Sequence, residues 1–168
     1  MTLTAQIAKI DDVINKSITR RCDPPQIKCV HHGRVSAIYS QQEKRFMLID
    51  SNLKKVTIES TTFDFQGAHI LDSGSPITKT QYGEFESNTY RLNLVYIGVS
   101  RVQTDYVKVL QCMEKIPMLG IVSFVTNSEQ VIRDDWRTLV GDERNYIPTL
   151  FGFRINYTLQ INHLDELL

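Results

Sequence analysis

Phe151-Gly152-Phe153-Arg154-Ile155-Asn156-Tyr157-Thr158-Leu159-Gln160-Ile161 alternates apolar and polar side chains without a break. In a strand, successive side chains point to opposite faces, so Phe153, Ile155, Tyr157, Leu159 and Ile161 share one face. Arg154, Asn156, Thr158 and Gln160 share the other. A second run, Tyr90-Arg91-Leu92-Asn93-Leu94-Val95-Tyr96-Ile97-Gly98-Val99, starts with the same alternation and then becomes apolar on both faces. Its far end therefore needs cover on two sides. One helical stretch lies between the two runs, and this order of elements points to an α+β domain in two layers.

Upstream, Leu3, Ile7, Ile10, Val13, Ile14 and Ile18 recur near helical spacing, with Lys9, Asp11, Asp12 and Lys16 assigned to the opposite, solvated side. The spacing predicts a helix over residues 3–19, stopped by Asp23-Pro24-Pro25. Short strand-like pieces follow at 27–32, 35–40, 45–50 and 54–59, separated by Gly33, Gln41-Gln42-Glu43-Lys44 and Ser51-Asn52, and read as an antiparallel meander. Residues 60–88 form the least regular stretch, an insertion with Gly67, Asp72-Ser73-Gly74-Ser75-Pro76 and Gly83. A second helix runs from Gln103 to Ile116, with Thr104 as candidate cap and Pro117 as stop. Residues 120–126 are β-prone, Val131-Ile132 continue them, and residues 134–148 form a polar excursion before the final strand. The expectation is one domain over residues 1–168: a mostly antiparallel sheet, made of the meander plus two C-terminal strands, packed with an N-terminal and a central helix as a two-layer sandwich.

A chain of 168 residues can bury roughly 70% of the surface it exposes when unfolded, so a full core is within reach. Lys plus Arg number 19 and so do Asp plus Glu, which leaves no global field to draw in nucleic acid. The first residues, Met1-Thr2-Leu3-Thr4-Ala5-Gln6, lack a basic region leading into an apolar stretch, and no run approaches membrane-spanning length. Three cysteines, Cys22, Cys29 and Cys112, cannot all pair within the chain. These features read as a soluble protein of a reducing compartment, without contact to membranes.

Motifs for chemistry are weak. Cys22, Cys29, His31 and His32 are zinc-ligand types, yet the cysteines show no C-x₂-C spacing and adjacent histidines diverge on a strand. His69 shares a loop-like stretch with Ser73-Gly74-Ser75, without the elbow that a serine nucleophile needs. Asp134 and Asp135 form a carboxylate pair flanked by Arg133 and Arg137, which suits ordinary ion pairs. No phosphate-cradling glycine loop occurs. The reading therefore assigns no catalytic, cofactor or metal residue. Aromatic and Arg side chains instead gather in the irregular segments: Phe63, Phe65, Tyr82 and Phe85 in one, Trp136, Arg137, Arg144 and Tyr146 in the other. Such residues dominate interface energetics, and they are the candidate interface set.

An N-terminal helix, a meander, the Tyr90 to Val99 strand, the Gln103 to Ile116 helix and two closing strands resemble the tail-terminator and neck proteins of tailed bacteriophages. The resemblance implies a structural subunit in a ring, usually of six copies, that ends the tail tube or joins it to the head connector. It implies copies of itself, tail-tube and head-connector proteins as partners, and a place in the virion neck after assembly in the host cytoplasm. Sheets would surround a channel with helices outside. Arg91, Asn93, Arg154, Asn156 and Gln160 would then be lumen-facing, in sequence-independent contact with DNA. Readings from other classes are a cytosolic adaptor domain, a small enzyme with a titratable pocket, and a nucleic-acid module with a basic face.

Overall fold

The computed structural model describes residues 2–19, 28–42, 44–56, 63–71, 77–82, 87–126 and 151–162. The chain runs α1 (Leu3–Thr19), β1 (Cys29–Ser40), β2 (Arg45–Asp50), β3 (Phe65–Leu71), β4 (Thr78–Tyr82), β5 (Ser87–Ser100), α2 (Asp105–Met113), β6 (Leu119–Thr126) and β7 (Phe151–Ile161). All seven strands join one sheet in the order β2-β1-β3-β5-β7-β6, with β4 also on β5. The result is the expected α+β class, a mostly antiparallel sheet packed with two helices.

The two alternating runs are neighbours. β5 and β7 pair antiparallel from Tyr90↔Ile161 to Ser100↔Phe151 without a register break. That register sets Leu92, Leu94 and Tyr96 beside Leu159, Tyr157 and Ile155 on the face that receives the helices, and all six are buried. α1 contributes Leu3, Ile7, Ile10, Ile14 and Ile18, each at most 1% exposed. Their burial is worth on the order of 10 kcal/mol at about 2 kcal/mol per side chain.

Where β5 turns apolar on both faces, a second core covers it. Ile97 and Val99 pack with Val35, Leu48, Val56 and Ala68 on the sheet face away from the helices. A bulge makes this possible. β1 pairs His31↔Gly67 and then Arg34↔His69, so β1 carries one residue more than β3 at this point, and Gly33 there has φ of 64°. An extra residue flips every later side chain to the other face. Cys29 and His31 thus share the helix face, while Val35 enters the second core.

Three expectations change. The pieces at 27–32 and 35–40 are one bent strand, β1, which pairs with β3 in parallel, so the first half is no simple meander. Residues 54–56 form no named strand; Lys55 makes an isolated bridge to Ile49. The stretch 60–88, read as irregular, holds β3, β4 and the start of β5. β3 and β4 lie end to end along the same edge of β5, facing Leu94–Ser100 and Ser87–Arg91 respectively. Thr104 does occupy the N-cap of α2, but its side chain makes no capping bond. The polar excursion at 134–148 and Val131-Ile132 lie outside the described residues.

Gly67 and Gly98 face each other across β3 and β5, and each is roofed by an aromatic ring: Tyr96 lies over Gly67 and Phe153 over Gly98. A Cβ at either would run into its ring. Gly67→Ala is therefore expected to cost about 1–3 kcal/mol through overpacking, read as a lower urea midpoint at unchanged slope. The same change at Gly120, where a Cβ would sit 3.1 Å from the Thr158 hydroxyl, is expected to be far milder.

Candidate functional site: a sealed polar relay and the open surfaces around it

Asp11 lies on the apolar stripe of α1, four residues after Ile7 and three before Ile14, and not on the solvated side. It points into the sheet at 8% exposure. There its Oδ1 lies 2.9 Å from Nε2 of His69, which is itself fully buried on β3. Nδ1 of His69 lies 2.7 Å from the Tyr157 hydroxyl on β7. A carboxylate only accepts, so Nε2 carries the proton it shares with Asp11, while Nδ1 and the Tyr157 hydroxyl share the second hydrogen bond. His31 on β1 approaches the same carboxylate, with Nδ1 at 3.5 Å.

Charge in this centre is held by mutual arrangement. Burial by itself would push the Asp11 carboxyl up, and the two imidazoles, His31 and His69, pull it down by more, to about 2 from an ordinary 3.8. Burial raises the phenols of Tyr157 and Tyr96 well above 10, with the Asp11 charge adding to it. Both therefore stay protonated. The Tyr96 ring packs 4.8 Å from that of His69, yet its hydroxyl has no hydrogen-bond partner among the described residues.

The order tyrosine, histidine, aspartate resembles that of a catalytic relay. Its burial is what decides its role. His69 is 0% and Tyr157 1% exposed, so no substrate atom reaches them unless α1 lifts away. In this arrangement the two hydrogen bonds tie three elements, α1, β3 and β7, to one another. A second buried contact fixes the start of α2, where the Ser100 hydroxyl donates to the Asp105 carboxylate and accepts from the Val102 amide at 3.1 Å.

The surfaces are more open. β6 has a bulge at Val122, since Ile121 pairs with Tyr157 and Ser123 with Asn156. Val122 is 66% and Phe124 53% exposed, and Phe124 stacks on Tyr106 of α2. Arg91, Asn93, Arg154, Asn156 and Gln160 all lie on the sheet face away from the helices, by the register Arg91↔Gln160, Asn93↔Thr158 and Ile97↔Arg154. Arg91 is exposed and the other four are half-buried, with the Asn156 amide donating to the Ser123 hydroxyl at 2.8 Å. On the other side of the molecule, α1 and α2 flank a groove of about 760 Å³.

The candidate interface residues divide. Phe65 is fully buried against His31 and Phe153, because its pairing with Ser100 sets it on the helix face; it is core and no surface anchor. Phe63 is half-buried just before β3, and Tyr82 ends β4. Phe85, Trp136, Arg137, Arg144 and Tyr146 lie outside the described residues, as do Cys22, Ser73, Ser75, Asp134 and Asp135. His31 and His32 diverge as expected, His31 toward Asp11 and His32 to Gln66 at 3.2 Å. Among the described residues, no group of three or more His, Cys, Asp or Glu is placed to hold a metal, and no helix is long and apolar enough to cross a membrane. Burial raises the Cys112 thiol to about 11, so it is protonated at neutral pH.

No protein-family model matches the chain, and no curated protein matches it.

The relay generates two contrasts. Asp11 has a depressed folded pKa, so its stabilisation is present above about 3.8 and is lost as pH falls toward about 2. The advantage of the wild type over Asp11→Asn is therefore expected to shrink by about 2 kcal/mol between pH 6 and pH 2, measured by urea unfolding. Tyr157→Phe removes a hydrogen-bond partner of buried His69 and is expected to cost about 1–3 kcal/mol, whereas Tyr96→Phe removes a hydroxyl without a partner among the described residues and is expected to be neutral or stabilising. Thermal melts of the two phenylalanine variants check this directly.

Proposed function

We propose that this protein is a structural subunit of a bacteriophage head-tail junction, working as one member of a ring that ends the tail tube or joins it to the head connector. The observation that carries this reading is the pair of unlike sheet ends. Among the described residues the sheet stops at β2 on one side and at β6 on the other, and the two edges differ in sequence and shape. A closed ring of more than two copies needs two different, complementary surfaces on each subunit. β6 offers exposed Val122 and Phe124, and the β1-β2 end offers exposed Ile38 and Tyr39. Bulged edges also resist indiscriminate strand pairing, which suits an edge meant for one partner.

The division of the sheet supports the same reading. Helices cover one face; on the opposite face, beside the second core of Ile97 and Val99, the start of β5 and all of β7 present the polar side chains Arg91, Asn93, Arg154, Asn156, Thr158 and Gln160. That face can line a channel and touch the DNA backbone without reading sequence. The ring would be built from the chain's own copies, six in the usual arrangement, with tail-tube and head-connector proteins above and below. Its place would be the virion neck.

Mass photometry and negative-stain imaging test the proposal. Alone, the protein is expected to be monomeric or weakly associated; mixed with tail-tube or connector proteins, it is expected to form rings. Val122→Lys, at an exposed bulge, should leave stability within about 0.5 kcal/mol and abolish ring formation. A tight autonomous dimer, or rings indifferent to this substitution, would sink the reading.

A further inference from the structure

The groove between α1 and α2 combines apolar surface with lysines. Lys9 and Lys16 from α1 and Lys108 and Lys115 from the second helix and its exit line it, and among the described residues lining it none is acidic. The chain as a whole is balanced at 19 basic and 19 acidic residues. Lys16 is held by Asp12 at 2.6 Å, which leaves Lys9, Lys108 and Lys115 as the groove's lysines outside that pair. Its apolar lining includes Val13 and Met118, which are 37% and 53% exposed. Apolar surface between helices, rimmed by one sign of charge, suits a short acidic segment with apolar residues on one side.

The chain's own sequence contains such a segment. Leu164-Asp165-Glu166-Leu167-Leu168 places leucines at positions i, i+3 and i+4, with two adjacent carboxylates between them. It follows β7, which ends at Ile161 beside an exposed Asn162, so the segment starts from the surface. We propose that the lysine-lined groove of one copy receives residues 164–168 of a second copy. This rests on the ring reading and deepens it, because the groove and the segment would be two different complementary surfaces of one chain, as a closing ring of more than two copies requires. The leucines would cover Val13 and Met118, and Asp165 and Glu166 would meet the lysines.

The test uses the isolated full chain and a fluorescein-labelled peptide of residues 162–168, followed by fluorescence anisotropy. Binding with a dissociation constant on the order of 0.1 mM is expected, weakening with added salt. The double variant Lys9→Glu/Lys115→Glu, with its melting temperature checked, is expected to bind about tenfold more weakly, as is a peptide carrying Asp165→Lys and Glu166→Lys. Equal binding of the charge-reversed peptide, or no binding at millimolar concentration, overturns the proposal. If the full chain is silent but a chain with Leu164, Leu167 and Leu168 all changed to Ser binds the peptide, the segment occupies its own copy's groove, which also overturns it. Peptide binding without any ring on imaging would defeat the ring reading and leave the groove's chemistry standing; rings without peptide binding would do the reverse.

Discussion

The eleven consecutive pairs between β5 and β7 are the constraint from which the rest of the molecule follows. Side chains on a strand alternate, so this single register decides which residues meet the helices and which look the other way. It gathers Leu92, Leu94 and Tyr96 with Ile155, Tyr157 and Leu159 into the platform on which α1 lies. It also aligns Arg91 with Gln160 and Asn93 with Thr158 on the far side. A slip of one residue would exchange the two faces and bury the arginines. The paired glycines at 67 and 98 depend on it too, because they make room for Tyr96 and Phe153 only while those rings stay in their own rows.

Against this apolar platform the Asp11–His69–Tyr157 relay is an expense in desolvation that the hydrogen bonds offset. Removing either Asp11 or Tyr157 leaves one ring nitrogen of buried His69 without that partner, a larger loss than the bond's net contribution. A slide of α1 by one turn would also carry Asp11 away from His31 and His69. Rigid seating of α1 also fixes the groove it forms with α2, so the buried relay and the lysine-lined surface are coupled through one helix.

The strands that alternate cleanly were legible in the sequence, and so was the need for cover on both faces of β5, met by Val35, Leu48 and Val56. The α1 boundaries were legible from the spacing of Leu3 to Ile18. What was hidden shares a physical cause: non-local pairing. β1 was cut in two at Gly33, since a glycine with positive φ reads as a turn although here it is a bulge inside a strand. β3 looked irregular because Gly67 and His69 break its apolar pattern, and both make sense only beside Tyr96 and Asp11. Asp11 itself was counted as solvated by residue type, although its position at Ile7 plus four and Ile14 minus three put it on the apolar stripe. A charged residue on such a stripe, with a histidine between Ala68 and Ile70 elsewhere, was the available signal. Phe65 reads as an interface anchor for the same reason: the strand that buries it is defined only by its pairing with β5.

The separation along the chain of the relay's members has a consequence for how the protein comes to exist. His69 lies 58 residues from Asp11 and 88 from Tyr157. On the ribosome, α1 emerges before β3 and β7 with a carboxylate on the face it must bury, and the tyrosine that completes the centre follows both Asp11 and His69. The centre cannot be satisfied piecemeal, so the chain has to close long loops before it gains that contact, the regime in which folding is slow.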